Sequence, residues 1–325
     1  MERRGLNIRK WFLKAILPAL RRLPPCTATR MVSGIGQTEY RLFRNLRLRF
    51  DTAVERGRGY FGTHWVVPEV GRELAGNHIR WRTRDQLLDN LDDDDVAHLF
   101  RVTGQQHLLD AQAQGRGVIL LGNHFGAHLM PAHWVVRQGV PLRLYMERPH
   151  HVSRLLSQGF DSDGPLGQKS LFISRKADSN ESARSIMRAA RVLRAGIVVF
   201  LACDVRWVGS QTVPALFMGQ EYTFSSTWVA LASLSGASVV PVFCHMALDG
   251  THDLEFLPWF TVPAGVAADA KAELVQSSLR SIEERVRRDP ANSNDYLFWA
   301  ESDPAQVVAR LSRRANVTPV ARGRE

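Results

Sequence analysis

The sequence predicts an α/β fold: a single αβα layered domain with a mostly parallel central sheet, preceded by an amphipathic helical part. Three observations predict it. Val118–Leu121 and Ile197–Ala202 are continuous apolar runs of strand length, as strands buried on both faces require. Each run ends in a turn and then a residue able to do chemistry, His124 after the first and Asp204 after the second. Helical patterns separate the runs, which is the rhythm of parallel strands joined by crossover helices.

The chain has 325 residues, enough for one large domain with a sizeable core. Its 42 basic and 32 acidic residues leave a net charge of +10, which attracts anionic lipid headgroups, an acidic carrier protein or nucleic acid. No zinc-finger spacing or helix-turn-helix pattern accompanies that charge, so nucleic acid is not expected as a partner. Cys26, Cys203 and Cys244 are too few and too scattered for a disulfide framework or a zinc site and fit a reducing compartment. Cys203 beside Asp204 reads as a buried, inert thiol in preference to a nucleophile.

Residues 1–25 read as a basic amphipathic helix. Ile8, Phe12, Ala15, Ile16, Ala19 and Leu23 gather on one side, with Arg9, Lys10, Lys14 and Arg21 opposite. Lys14 interrupts the apolar run, so the segment suits an anionic membrane surface, or packing on its own domain, better than a membrane span. Residues 36–66 read as helical and basic, and Trp81–Arg84 as a short strand. Asp92–Asp95 open a helix, because carboxylates complement the positive end of its dipole. The organisation expected is a basic helical region over 1–60, an α/β domain over 61–310 and a basic tail over 311–325.

Beyond the 118–121 strand a helix is expected to end near Gly139. A strand follows over Pro141–Met146, then a helix over Val152–Phe160, a short strand over Ser170–Ser174 and a helix from Ser179 to the Ala195-Gly196 stop. Tyr222–Leu248 carries no charged residue apart from His245, yet its serines, Gly236 and Pro241 argue against a membrane span. It divides better into a helix over 224–235 and a strand over 238–244. Leu254–Leu257 reads as a further strand and Lys271–Arg288 as an amphipathic helix.

His124 is the leading functional candidate. An imidazole titrates near neutrality, and the mouth of a buried strand is where open α/β sheets place their chemistry. The alternative is a structural histidine bonded to its turn. His124 and His128 stand four apart and invite a metal, with His133 nearby, but Gly126 lies where a metalloprotease carries its glutamate and no third ligand is evident.

Five stretches in order resemble the lipid A biosynthesis acyltransferases, within the lysophospholipid acyltransferase superfamily. They are Gly117–Gly126 around His124, Glu147-Arg148-Pro149 with the charged stretch after it, Gly196–Asp204, Val213–Gly219, and Leu234–Val242. The resemblance implies transfer of a fatty acyl group from an acyl carrier protein or coenzyme A thioester to a hydroxyl of a membrane lipid or glycolipid. It implies a peripheral enzyme at the cytoplasmic face of the inner membrane, and a thioester co-substrate with no metal or redox cofactor. The family's histidine is followed, after four residues, by an acid, and here that position is Leu129. Either Asp204 supplies the carboxylate from the neighbouring strand, or the chain is a degenerate lipid- or acyl-binding protein. On the resemblance His124 deprotonates the acceptor hydroxyl while nearby backbone N–H groups or Arg148 hold the oxyanion. The substrate-binding candidates are Asn123, His128, Arg148, Arg206, Phe217, Met218 and Gly219, with Phe217 and Met218 as walls of an acyl slot.

Overall fold

A computed structural model describes residues 15–16, 18–83, 86–88, 91–147, 171, 173, 179–207 and 211–301. Most of the expected N-terminal helix, the expected helix 152–160, Arg148 and the 311–325 tail lie outside the described residues.

Six strands form the main sheet: β1 (Phe100–Thr103), β2 (Val118–Gly122), β3 (Leu142–Leu144), β4 (Val198–Ala202), β7 (Ser238–Met246) and β8 (His252–Phe256). Their order is β1-β8-β7-β2-β4-β3, and every neighbouring pair is parallel except β7 with β8. Strands β5 (Thr212–Phe217) and β6 (Gln220–Ser225) pair separately as an antiparallel hairpin.

Alternation along the central strands splits the core into two layers. Val118 and Leu120 of β2, with Val198 and Phe200 of β4, face the apolar cluster of helices α5 (Gln105–Ala113) and α6 (Met130–Arg137). Ile119 and Leu121, with Val199 and Leu201, face the opposite cluster, built on α7 (Ser179–Arg194), α8 (Thr227–Ser235) and α9 (Ala268–Arg288). The expected αβα layering is therefore present. Covering both faces explains why β2 is buried at all five positions and reads as a continuous apolar run. Gly117 permits the close start of β2: at φ +72° it passes Leu193, whose carbonyl oxygen would lie 2.1 Å from an added Cβ.

Before the sheet, helices α1 (Pro25–Leu42), α2 (Arg44–Phe61) and α3 (Val67–Thr83) pack together. Of the strand expected at Trp81–Arg84, the described residues Trp81–Thr83 are instead the last turn of α3. Leu74, Ala75 and Ile79 are buried at helical spacing, and that longer period overrides the local β-like composition. Ile16, Leu20 and Leu23 pack with Ala28, Val32, Ile79 and Leu87, so these apolar residues of the first segment cover its own fold. Asp92 caps the short helix α4 (Asp93–Ala97) by accepting the Asp95 N–H at 2.7 Å, as its acidic start predicts.

Further boundaries differ from expectation. Phe224 and Ser225 end β6 and do not start α8, because Tyr222 and Phe224 alternate with exposed Thr223 on a hairpin face. Of the expected strand 170–174 only Leu171 and Ile173 are described, and neither lies in a strand, although the Ile173 N–H bonds Met146 O at 3.0 Å. The charge-free stretch 222–248 divides at Gly236 (φ 71°) into helix and strand. Among the described residues no helix is long and apolar enough to cross a membrane.

Candidate active site

Strand register builds the site. β2 and β4 run parallel as direct neighbours, with Gly122 opposite Ala202, and the Cys203 N–H continues the ladder to Gly122 O at 2.9 Å. Both chains leave the sheet at the same edge, carrying His124 and Asp204 out together. Eighty residues apart in sequence, they meet with His124 Nδ1 at 3.0 Å from Asp204 Oδ1. The carboxylate expected from the neighbouring strand is thus in hydrogen-bond contact with the imidazole.

Asp204 is buried, and burial alone pushes its carboxyl up. The His124 charge and ring N–H, the Tyr296 hydroxyl and the His124 backbone N–H together reverse this and hold it below its ordinary value. An ionised Asp204 accepts only, so when His124 is neutral its Nδ1 carries the proton and its Nε2 the lone pair. The His124 side chain is 37% exposed, against 0% for that of Asp204, so the reactive ring stands at the surface of a buried charge. Because Asp204 ionises below its unfolded value, this pairing stabilises the fold above the ordinary carboxyl value of 3.8 and is lost as pH falls through the folded one.

A segment after α9 fastens the His124 loop. Gly126 donates its N–H to Asn292 O at 2.8 Å, and Asn294 Nδ2 donates to His124 O at 2.5 Å and to Gly126 O at 2.6 Å. The Tyr296 hydroxyl donates to Asp204 Oδ2, which also takes the His124 backbone N–H at 2.9 Å. The segment is itself anchored where Asp289, with Asp253, brackets the two ring nitrogens of His245. Burial lowers the His245 pKa, but the two carboxylates outweigh it and raise the value overall. Gly126 is required by this loop: at φ +59° an added Cβ would meet Cys244 O at 2.0 Å. Sequence reasoning misses Asn292, Asn294 and Tyr296, because their bonds to the loop span up to 172 residues and leave no periodic trace.

The loop's backbone donors are spent internally. His124 N–H reaches Asp204 and Tyr296, Phe125 N–H reaches Asn123 Oδ1 at 3.0 Å, Gly126 N–H reaches Asn292, and Ala127 N–H reaches Cys244 O at 2.8 Å. These four amides therefore do not form the oxyanion hole expected of them. Asn123 is also reassigned: its amide ties Phe125 to Val242 O, 3.1 Å away, and so shapes the turn instead of offering itself to a substrate.

His128 stacks on His124 with ring centroids 4.9 Å apart and on Trp81 at 5.4 Å, so it buttresses the imidazole while Asp204 takes the hydrogen bond. Leu129 caps α6 and is buried in the apolar cluster beneath it. Arg206 lies over Trp299 at 4.2 Å and Tyr222 at 5.4 Å, half-buried, and burial lowers its pKa. Phe217 is fully buried against Tyr296 and Trp299, both at 5.2 Å, so it backs the site and does not line an open slot. Met218 and Gly219 form the tip of the β5–β6 hairpin at φ 51° and 74°, against Glu283 and Tyr60. These positive φ values suit a tight turn, where glycine is at ease and methionine is strained.

The Cys203 thiol is buried and burial pushes it well up, consistent with an inert residue. His133 is fully buried within α6, and burial lowers its pKa to about 3. Among the described residues no three His, Cys, Asp or Glu side chains converge as a metal site.

Comparison with known proteins places the chain in a family. The family profile of bacterial lipid A biosynthesis acyltransferase matches residues 84–298, which include His124, Asp204 and Tyr296. The chain is also 27% identical to the lipid A biosynthesis lauroyltransferase of Escherichia coli (strain K12) over 262 residues, covering 76% of this chain and 78% of that protein.

Proposed function

This chain belongs to the bacterial lipid A biosynthesis acyltransferase family, and we propose that it moves a fatty acyl group from an acyl carrier protein or coenzyme A thioester to a hydroxyl of a membrane glycolipid. The observation that carries the reading is the 3.0 Å contact between His124 Nδ1 and Asp204 Oδ1, which equips a general base although Leu129 replaces the family's acid.

His124 Nε2 takes the proton of the acceptor hydroxyl as its oxygen attacks the thioester carbonyl carbon. Asp204 stabilises the imidazolium that forms, the part an aspartate plays in a hydrolase triad. The tetrahedral intermediate then collapses, the C–S bond breaks, and the leaving sulfur takes the proton from Nε2. An ester and a free thiol result, so the transfer balances without a redox step. With the loop amides engaged, the oxyanion falls to a side-chain donor. Arg148 is the donor the sequence suggests, and Arg206 stands two residues after Asp204. The paired carboxylate speaks against a degenerate binding protein, since a relic has no need of an ionised Asp204 beneath an exposed imidazole.

Purified protein given each thioester donor in turn, with a bacterial lipid extract as acceptor, tests the reading. Acylated glycolipid detected by mass spectrometry supports it, and the better donor identifies the co-substrate. Binding of lipid without transfer from either donor would return the protein to the binding-only alternative.

Peripheral attachment to the inner membrane is part of the proposal. The +10 net charge and the basic start of the chain supply attraction to anionic headgroups. Since Ile16, Leu20 and Leu23 pack on the fold, the attachment is assigned to residues 1–14. Removing them is expected to reduce co-sedimentation with anionic vesicles, and high salt should weaken binding of the intact chain. Salt-insensitive binding unchanged by the truncation would contradict the assignment.

A further inference from the structure

We propose that Tyr296 is a positioning residue for the transfer: its hydroxyl, donated to Asp204 Oδ2, fixes the carboxylate so that Oδ1 holds His124 in the tautomer with its lone pair on Nε2. The catalytic half of this inference rests on the acyl-transfer reading, while the structural half stands on the geometry alone.

The two oxygens of Asp204 have separate duties. Oδ1 meets His124 Nδ1 at 3.0 Å, whereas Oδ2 receives the Tyr296 hydroxyl and the His124 backbone N–H at 2.9 Å. The same backbone N–H lies 3.0 Å from the Tyr296 oxygen, closing a triangle around Oδ2. A backbone donor cannot rotate away, and neither can the phenol. The Tyr296 ring is 2% exposed and held edge-on by Trp299 at 5.0 Å and Phe217 at 5.2 Å. The aromatic cluster thus holds the phenol, the phenol holds the carboxylate, and the carboxylate holds the imidazole. A phenol serving only the core would be satisfied by any acceptor, but this one is spent on the residue that orients the base.

Removing the hydroxyl leaves Oδ2 with one donor, so negative charge concentrates on Oδ1 and the His124–Asp204 pair keeps its shared proton more tightly. Tyr296→Phe should then lower kcat about tenfold with KM unchanged, and move the acid limb of the pH profile up by about half a unit to one unit. Replacing Tyr296 with 3-fluorotyrosine makes the phenol a stronger donor and should shift the limb the other way. It also keeps the hydroxyl, so it serves should the phenylalanine variant fail to fold. The His124 ring resonances, followed by NMR against pH in the full chain, report the same opposed shifts without needing turnover.

Opposed shifts in the two variants would support the inference. A His124 titration identical to wild type in folded Tyr296→Phe, or in the fluorotyrosine protein, would overturn it. If His124 shifts as expected while the wild type transfers no acyl group, Tyr296's hold on the pair stands and the acyl-transfer reading falls.

Discussion

Substituting His124→Ala is expected to reduce acyl transfer by about 100-fold or more, the scale on which a positioned general base contributes. The change should leave the domain folded. The His124 side chain is 37% exposed, so its loss opens little core. Asp204 would still accept the residue-124 backbone N–H and the Tyr296 hydroxyl, so the buried charge is not abandoned. Turnover with each thioester donor, beside a thermal unfolding curve, checks both halves. A folded variant with wild-type turnover would remove His124 from the mechanism.

Asp204→Asn should be more damaging than its isosteric shape suggests. The two fixed donors at Oδ2, the His124 backbone N–H and the Tyr296 hydroxyl, require an acceptor there. The new amide will turn its oxygen toward them and its NH2 toward His124 Nδ1. The imidazole must then accept at Nδ1 and carry its proton on Nε2, the nitrogen that should take the acceptor's proton. Loss of a base through the wrong tautomer predicts a fall of about 10³- to 10⁴-fold in kcat, with much less effect on KM. A variant with unchanged kcat would show that the carboxylate does not set the tautomer.

The parts of this site that were legible in the sequence are those carried by the sheet. Val118–Leu121 and Ile197–Ala202 announce themselves as buried strands, and parallel neighbours align their C-terminal ends, so placing Asp204 against His124 required only adjacency. The alternative acid position, Leu129, is buried in the α6 cluster, as an apolar residue at a helix start should be. The residues that fasten the site were not legible. Asn292, Asn294 and Tyr296 sit in a non-periodic stretch, and their value comes from bonds to a loop some 170 residues earlier. Composition misled at Trp81, where β-like residues end a long helix, and at Phe217, where an aromatic read as a pocket wall backs Tyr296. Asn123 misled for a related reason: an amide beside a candidate base reads as a ligand until its bonds to Phe125 and Val242 are seen.

The central claim is that His124 and Asp204 work as one unit. A double-mutant cycle tests it most directly, comparing acyl transfer by His124→Ala, Asp204→Asn and the combined variant with wild type. Residues acting as a unit are strongly non-additive, so the combined variant should be no slower than the slower single variant. Losses that multiply across the cycle would mean that the two residues act independently, and would contradict the pairing on which this account is built.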